Sequence, residues 1–371
     1  MGIASNHYSV HDIEQLDMRN RIKMLYIIYD SPNKLLMKLG ELLGREGIQV
    51  DFYVAPEELK TFNFNKCDYD VVYYTNHYSP LRDLRQVYSL KRTCGKMVLG
   101  VHAPPTQRFI FKPHRPKHYL HSLFSIIRTI SEKRAFSAVH TLNSFDTRLY
   151  EILGYRNVHF IPWGLDIDLI RPYIRSKDTL FTIILSYATR YDKGGDIALK
   201  ALYYLLSKDF NLRIIIILGR GYRYELASKF LQLRDKFPNK IDIYEWLPQE
   251  KFFEILSRSH VLLFPSRIET FGLTVLEALA LGTPVVAFDI PGAPHDILLN
   301  MVLRGKFVGY IARPFSYHDL IKGVLLFYKI YHEKPEIYDK ISQTAIDVAQ
   351  SFTLKHMARK ISSLISRIVT G

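Results

Sequence analysis

The sequence predicts an α/β protein built as two successive doubly wound domains. Three observations lead there. Short, unbroken apolar runs alternate with longer helical stretches. That alternation is interrupted at a polar stretch over residues 171–180 and then restarts. At 371 residues the chain is long enough for two or three domains.

In chain order, KMLYIIYD (23–30) reads as a buried strand and KLLMKLGELLGREG (34–47) as the helix after it. IQVDFYV, DVVYYT, MVLGVH, SAVHT and VHFIP follow as further strands. Continuous apolar runs, as opposed to alternating ones, mark parallel strands covered on both faces. RPYIRSKDTL (171–180) opens with Arg-Pro and reads as a linker. Beyond it LFTIILSY, RIIIIL, IDIYEW, HVLLF and PVVAFD are strands, with helices at GDIALKALYYLLSK and YRYELASKFLQLRDK. The tail FTLKHMARKISSLISRIVTG is one amphipathic helix able to pack on either domain. The expected division is 1–172, 173–350 and a C-terminal helix over 351–371. Ligands of such sheets bind beyond the carboxyl ends of the strands, so the loops after MVLGVH, LFTIILSY, RIIIIL and HVLLF should carry the chemistry.

Composition narrows the partners. With 48% hydrophobic and 23% charged residues the chain is of the soluble globular class. Its apolar runs are too short to cross a bilayer, and its polar N-terminus has no secretory h-region. Cys67 and Cys94 lack metal-type spacing; no disulfide framework is expected, and the cytoplasm is the expected location. Fifty Lys and Arg against 36 Asp and Glu give a net charge of +14, which favours nucleic acid, anionic lipid or phosphorylated substrates.

The stretch SRIETFGLTVLEALALGTPVVAFDI (266–290) carries two acids in greasy surroundings, Glu269 and Glu277. A helix begins near Gly272, at the ligand end of HVLLF, and stops at Gly282 with Pro284 beyond it. Its free amides and positive dipole end suit an anion such as a diphosphate. Glu277 lies about a turn and a half inside. A buried carboxylate needs an Arg, a Lys or hydroxyl partners, and a ribose diol supplies two hydroxyls. Two ordinary ion-paired glutamates would give the same pattern.

PSRIETFGLTVLEALALGTPVVAFDIPG resembles the E-x7-E signature of the retaining family-4 glycosyltransferases, which have the GT-B fold: two Rossmann-like domains facing a cleft, with a C-terminal crossover helix. YATRYDKGGDIALKAL resembles that family's Arg…Lys-Gly phosphate segment, IIIILGRG its strand-Gly-x-Gly, VHFIPWGLDIDLIRP its hinge, and MVLGVH the strand ending in a catalytic-site histidine. IYEWLPQEKFFEILSRSHVLLFPS completes the series.

The resemblance implies a hexosyltransferase that moves sugar from a UDP- or GDP-sugar to a glycan, lipid-linked or polysaccharide acceptor with retention. Arg190 and Lys193 would clamp the diphosphate. Glu277 would hold the ribose and Glu269 the donor sugar. Phe271, Gly272, Leu273 and Thr274 would present backbone, Gly219 and Gly221 would border the nucleotide, and His102 would sit near the anomeric carbon. No metal or other cofactor is expected, since fixed cations and helix amides can stabilise the departing diphosphate. The chain departs from the family at YDSPNK, which lacks the usual glycines, at Trp163 in the hinge, and at PGAPHD, where His295 and Asp296 stand near the usual Glu.

Residues 106–134 interleave Arg108, Lys112, Arg115, Lys117, Arg128, Lys133 and Arg134 with Phe109, Phe111, Tyr119, Leu123 and Phe124. This mixture suits an anionic membrane surface and a peripheral position at the inner membrane face; a helix with a simply solvated basic face would read the same way. Three other function classes compete with this one. A nucleic-acid-binding protein leaves the Glu269/Glu277 pair unexplained, so no nucleic acid is expected. An oxidoreductase lacks G-x-G-x-x-G. A non-catalytic glycan-binding relative is at odds with intact Glu269, Arg190 and Lys193.

Overall fold

The computed structural model describes residues 7–9, 21–28, 32–54, 67–75, 84–102, 116–208, 210–219 and 224–371. The chain divides into two units, residues 1–166 with 352–371, and residues 167–351.

In the first unit the strands are β1 (His7–Ser9), β2 (Ile22–Ile28), β3 (Ile48–Val54), β4 (Val71–Thr75), β5 (Met97–Val101), β6 (Ala138–Thr141) and β7 (Val158–Phe160). They form one sheet in the order β1-β3-β2-β4-β5-β6-β7. All neighbours are parallel except β1, which runs antiparallel on β3 with His7 opposite Tyr53. The apolar runs are buried as the sequence implies: Met24–Ile27, Val71–Tyr74 and Met97–Leu99 are all but inaccessible. Asn33 opens the Lys34–Arg45 helix, its side chain accepting from the Leu36 amide at 2.9 Å.

A buried polar thread crosses this sheet. Tyr26 stacks on Tyr73 at 4.4 Å between centroids. The Tyr73 hydroxyl meets His140 Nδ1, and His140 Nε2 meets the Ile161 carbonyl oxygen at 2.7 Å. Burial lowers the His140 pKa to about 4, so the ring is neutral at ordinary pH. The Leu354–Thr370 helix belongs to this unit: Lys96 Nζ donates to the Val369 carbonyl at 2.7 Å and Ser362 Oγ to the Glu46 carbonyl at 3.1 Å.

Cys67 and Cys94 are joined in a disulfide, contrary to the expectation from their number and spacing. The pairing depends on tertiary placement, since it ties the segment ahead of β4 to the end of the Leu84–Cys94 helix.

The second unit is a wholly parallel sheet of β8 (Phe181–Leu185), β9 (Leu212–Ile217), β10 (Ile241–Tyr244), β11 (Val261–Phe264), β12 (Val285–Phe288) and β13 (Gly309–Ala312). The order is β10-β9-β8-β11-β12-β13. The stretch 171–180, expected as a linker, is fastened to this unit. Arg175 N donates to Ser257 Oγ at 2.7 Å, and Lys177 Nζ reaches the Ser257 and Ser259 carbonyls and Thr283 Oγ1, each at 2.8 Å. The division therefore falls at 166/167 instead of 172/173. Among the described residues no helix is long and apolar enough to cross a membrane.

Candidate functional site

In the second sheet the chain turns back between β8 and β11: β9 and β10 build outward on one side of β8, and β11 to β13 on the other. A crevice opens at such a switch point, beyond the carboxyl ends of the strands. The loops leaving β8 and β11 flank it, and the sequence places Arg190 and Lys193 on one and Glu269 on the other.

Glycines let these loops touch. Gly194 has φ +69°, and a Cβ there would run into the Pro265 carbonyl; one on Gly195 would run into the Ala188 carbonyl. Arg267 then staples the loops together. Its guanidinium is bidentate to Asp196 at 2.7 Å on both arms, donates to the Tyr191 carbonyl at 2.6 Å and lies 3.9 Å from the Tyr191 ring centroid. Its own amide donates to the Asp192 carbonyl at 2.8 Å.

The staple holds Lys193 Nζ 2.6 Å from Glu269 Oε1, with side-chain exposures of only 19% and 8%. Arg190 turns to Asp192, Nε at 3.1 Å and Nη2 at 2.6 Å from its two oxygens. The two cations expected to act alike are thus placed differently: Lys193 meets the acid of the signature, and Arg190 is held by a neighbour on its own loop.

The Leu273–Ala280 helix starts at Gly272, whose φ of +91° only glycine adopts easily, and no side chain caps its amino end. The backbone of Leu273 and Thr274 therefore opens the helix as the sequence suggests. The Phe271 carbonyl is engaged by the Ala293 amide at 2.5 Å. Gly292, at φ +99°, permits this, because a Cβ there would strike that same carbonyl. His295 Nδ1 lies 2.7 Å from Asp289 Oδ1.

Glu277 faces a cavity of about 220 Å³. Thr274, one turn earlier, lines it too, together with Gly219 and an aromatic wall of Tyr187, Trp246 and Phe252. Desolvation raises the Glu277 pKa to about 7. Among the described residues its carboxylate has no hydrogen-bond or ion-pair partner. Gly219 has φ +88°, and a Cβ there would lie 2.9 Å from Tyr187 Cδ1. Tyr187 itself has φ +54°, unusual for a non-glycine residue. Gly221 lies outside the described residues.

His102 stands at the carboxyl end of β5, in the first unit. Its ring meets Trp163 edge-on at 5.9 Å, and burial, helped by His140, lowers its pKa to about 3. It is neutral at ordinary pH and can exchange a hydrogen bond without carrying charge. Among the described residues no three His, Cys, Asp or Glu side chains are arranged to hold a metal ion.

Sequence reasoning passed over Arg267, Tyr187, Trp246 and Phe252. Arg267 stands two residues before Glu269, and Trp246 ends the IDIYEW strand; position beyond a strand was the available signal. Arg267→Lys is expected to destabilise the second unit by about 1–3 kcal/mol, because an ammonium cannot reproduce the two-armed contact with Asp196. Urea unfolding of variant and parent checks this.

Residues 166–346 match the family model described as "Glycosyl transferases group 1". Glycogen synthase from Francisella tularensis subsp. novicida is 26% identical over 196 residues, 52% of this chain and 38% of that protein. D-inositol 3-phosphate glycosyltransferase 1 from Catenulispora acidiphila is 28% identical over 187 residues, 45% of this chain and 43% of that protein. These matches span under half the length of the curated relatives. Among solved structures, sucrose-phosphate synthase from Thermosynechococcus elongatus superposes with a TM-score of 0.71 at 14% identity, covering 94% of this chain and 100% of that one. Anabaena HepE, solved in complex with UDP and glucose, gives 0.65 at 16% identity over 94% and 100%. At such identities the likeness is one of fold, and the two Rossmann-like α/β sheets expected of a GT-B protein are observed.

Proposed function

We propose that this chain, which carries a glycosyl transferases group 1 domain over residues 166–346, moves a hexosyl group from a nucleoside-diphosphate sugar to a hydroxyl of a glycan or lipid-linked acceptor, with retention and without a metal. The observation that carries the reading is the Lys193–Glu269 pair beside an uncapped helix start and a cavity holding Glu277. The matching E-x7-E spacing and the HepE complex with UDP and glucose support it.

The proposed roles follow from donor counts. An ammonium has three N–H groups; Lys193 gives one to Glu269 and keeps two for phosphate oxygens. Glu269 keeps a second oxygen for sugar hydroxyls. The amides of Leu273 and Thr274 face the developing diphosphate charge, where fixed donors act most strongly. Glu277 and Thr274 take the ribose, with the base against Tyr187, Trp246 and Phe252. As the sugar–phosphate bond loosens, the acceptor hydroxyl attacks on the same face and the leaving phosphate takes its proton.

A thermal-shift panel of UDP-, GDP- and ADP-sugars tests the donor class. One donor at about 100 times its Kd is expected to add about 2.7 kcal/mol of stability by mass action. No shift from any of the three would overturn the reading. NMR of the product anomer tests retention.

A further inference from the structure

The Pro116–Glu132 helix is amphipathic the wrong way round for a freely solvated surface. Leu120, Leu123, Phe124, Ile127 and Ile130 share one side, at the spacing of a helical face, and are between 41% and 57% exposed. Among the described residues of the helix, three polar ones point inward. Arg128, Thr129 and Glu132 are buried, with Arg128 Nε 3.0 Å from Glu132 Oε2 and the Tyr155 hydroxyl donating to the Thr129 carbonyl at 2.7 Å. The apolar stripe runs about 15 Å along the helix. A continuous outward stripe of this kind marks a docking surface.

Charge identifies the occupant. The Tyr88 hydroxyl donates to the Ser131 carbonyl at 2.6 Å, which sets the Leu84–Cys94 helix beside the stripe. Arg85 and Arg92 lie on the same side of that helix as Tyr88 and are exposed, as is Arg134 just beyond the stripe. Glu132, the one acid in the sequence 106–134, is turned inward. The rim is therefore cationic around an apolar strip. A second copy of the chain would set these arginines against each other, whereas an anionic lipid surface takes both parts: headgroup phosphates pair with the arginines and the acyl boundary takes the apolar side chains.

We propose that this face docks the protein on an anionic phospholipid bilayer, with Leu120, Leu123, Phe124, Ile127 and Ile130 entering the interface and Arg85, Arg92 and Arg134 at the headgroups. Arg128, counted with the surface cations in the sequence, takes no part. The proposal stands on the two helices and is independent of the donor chemistry.

Flotation of the full chain with phosphatidylcholine vesicles, with and without phosphatidylglycerol, is the test. The chain is expected to bind the anionic vesicles at low salt at least about tenfold better than the neutral ones, with roughly fivefold lost per neutralised arginine. Leu123→Asn/Phe124→Asn/Ile127→Asn is expected to lose binding about tenfold or more with an unchanged melting temperature, since the three side chains are already exposed. Ile127→Cys carrying an environment-sensitive fluorophore gives a second readout in an otherwise intact surface, and its emission should shift to the blue on anionic vesicles alone. Failure of the parent to float on anionic vesicles at low salt, equal binding by the triple variant, or an unshifted probe would each overturn the proposal. A concentration-dependent dimer that the triple variant abolishes would do so too, by assigning the face to a second copy.

Discussion

Lys193→Met is expected to lower kcat/KM by about two to three powers of ten, the loss seen when a fixed donor to a developing anion is removed. It is also expected to destabilise the second unit by about 3–5 kcal/mol, because Glu269, 8% exposed, is left as a buried charge without its counterion. Those two effects have different origins, and a double substitution separates them. In Lys193→Met/Glu269→Gln no uncompensated charge remains, so stability should return to within about 1 kcal/mol of the parent, as it does when a buried ion pair is replaced whole. Activity should stay lost. Urea unfolding and steady-state kinetics on the three proteins measure both quantities. Activity returning with stability would make the pair purely structural.

Glu277→Gln should do the opposite to stability. The carboxyl titrates near 7 in the folded chain because it is desolvated, and near 4.5 when exposed. Between those values the folded state holds a proton that the unfolded state has released, so stability falls as pH rises from 4.5 to 7 and stays lowered above it. The full penalty at pH 8 is about 3 kcal/mol. Glutamine removes it: the variant is expected to be more stable by up to that amount at pH 8 and about equal to the parent at pH 4. Ligand binding supplies the other half of the test. A carboxylate accepts two hydroxyl hydrogen bonds and a carboxylic acid does so poorly. Nucleotide-sugar affinity of the parent should therefore rise about tenfold from pH 6 to pH 8, following the ionised fraction. The variant should bind weakly and with a flat profile. Chemical unfolding and calorimetric titration at the two pH values decide it, and a parent profile as flat as the variant's would remove Glu277 from the binding role.

Most of the scaffold was readable because buried parallel strands are written as unbroken apolar runs, and Met24–Ile28 or Ile214–Ile217 can be little else. Among the described residues, the two strands that escaped have no such run. β1 is three residues, His7–Ser9, on the rim, and β13, GYIA, is four residues opened by a glycine. Glu269 and Glu277 stood out in the sequence as two acids around a helix start at Gly272, and Lys193 was singled out only through the resemblance of YATRYDKGGDIALKAL to a family segment. What holds them was not. Arg267 makes contacts with residues some seventy positions away, and no local pattern announces a bidentate partner at that distance. The pairing of Cys67 with Cys94 escaped for the same reason. The cavity wall was half visible: Trp246 follows a strand, but that Tyr187 and Phe252 converge on it depends on the order β10-β9-β8, which periodicity does not encode.

The Leu354–Thr370 helix follows the whole of the second unit in sequence yet completes the first, anchored at Lys96 and Glu46. On a ribosome the second unit emerges whole before the first has its last helix. Residues 352–371 are thus made after the whole of the second unit, and until they appear the flank of the Lys34–Arg45 helix that they cover is bare. The second unit, by contrast, has every strand of its own sheet in one uninterrupted stretch and can mature while its predecessor waits.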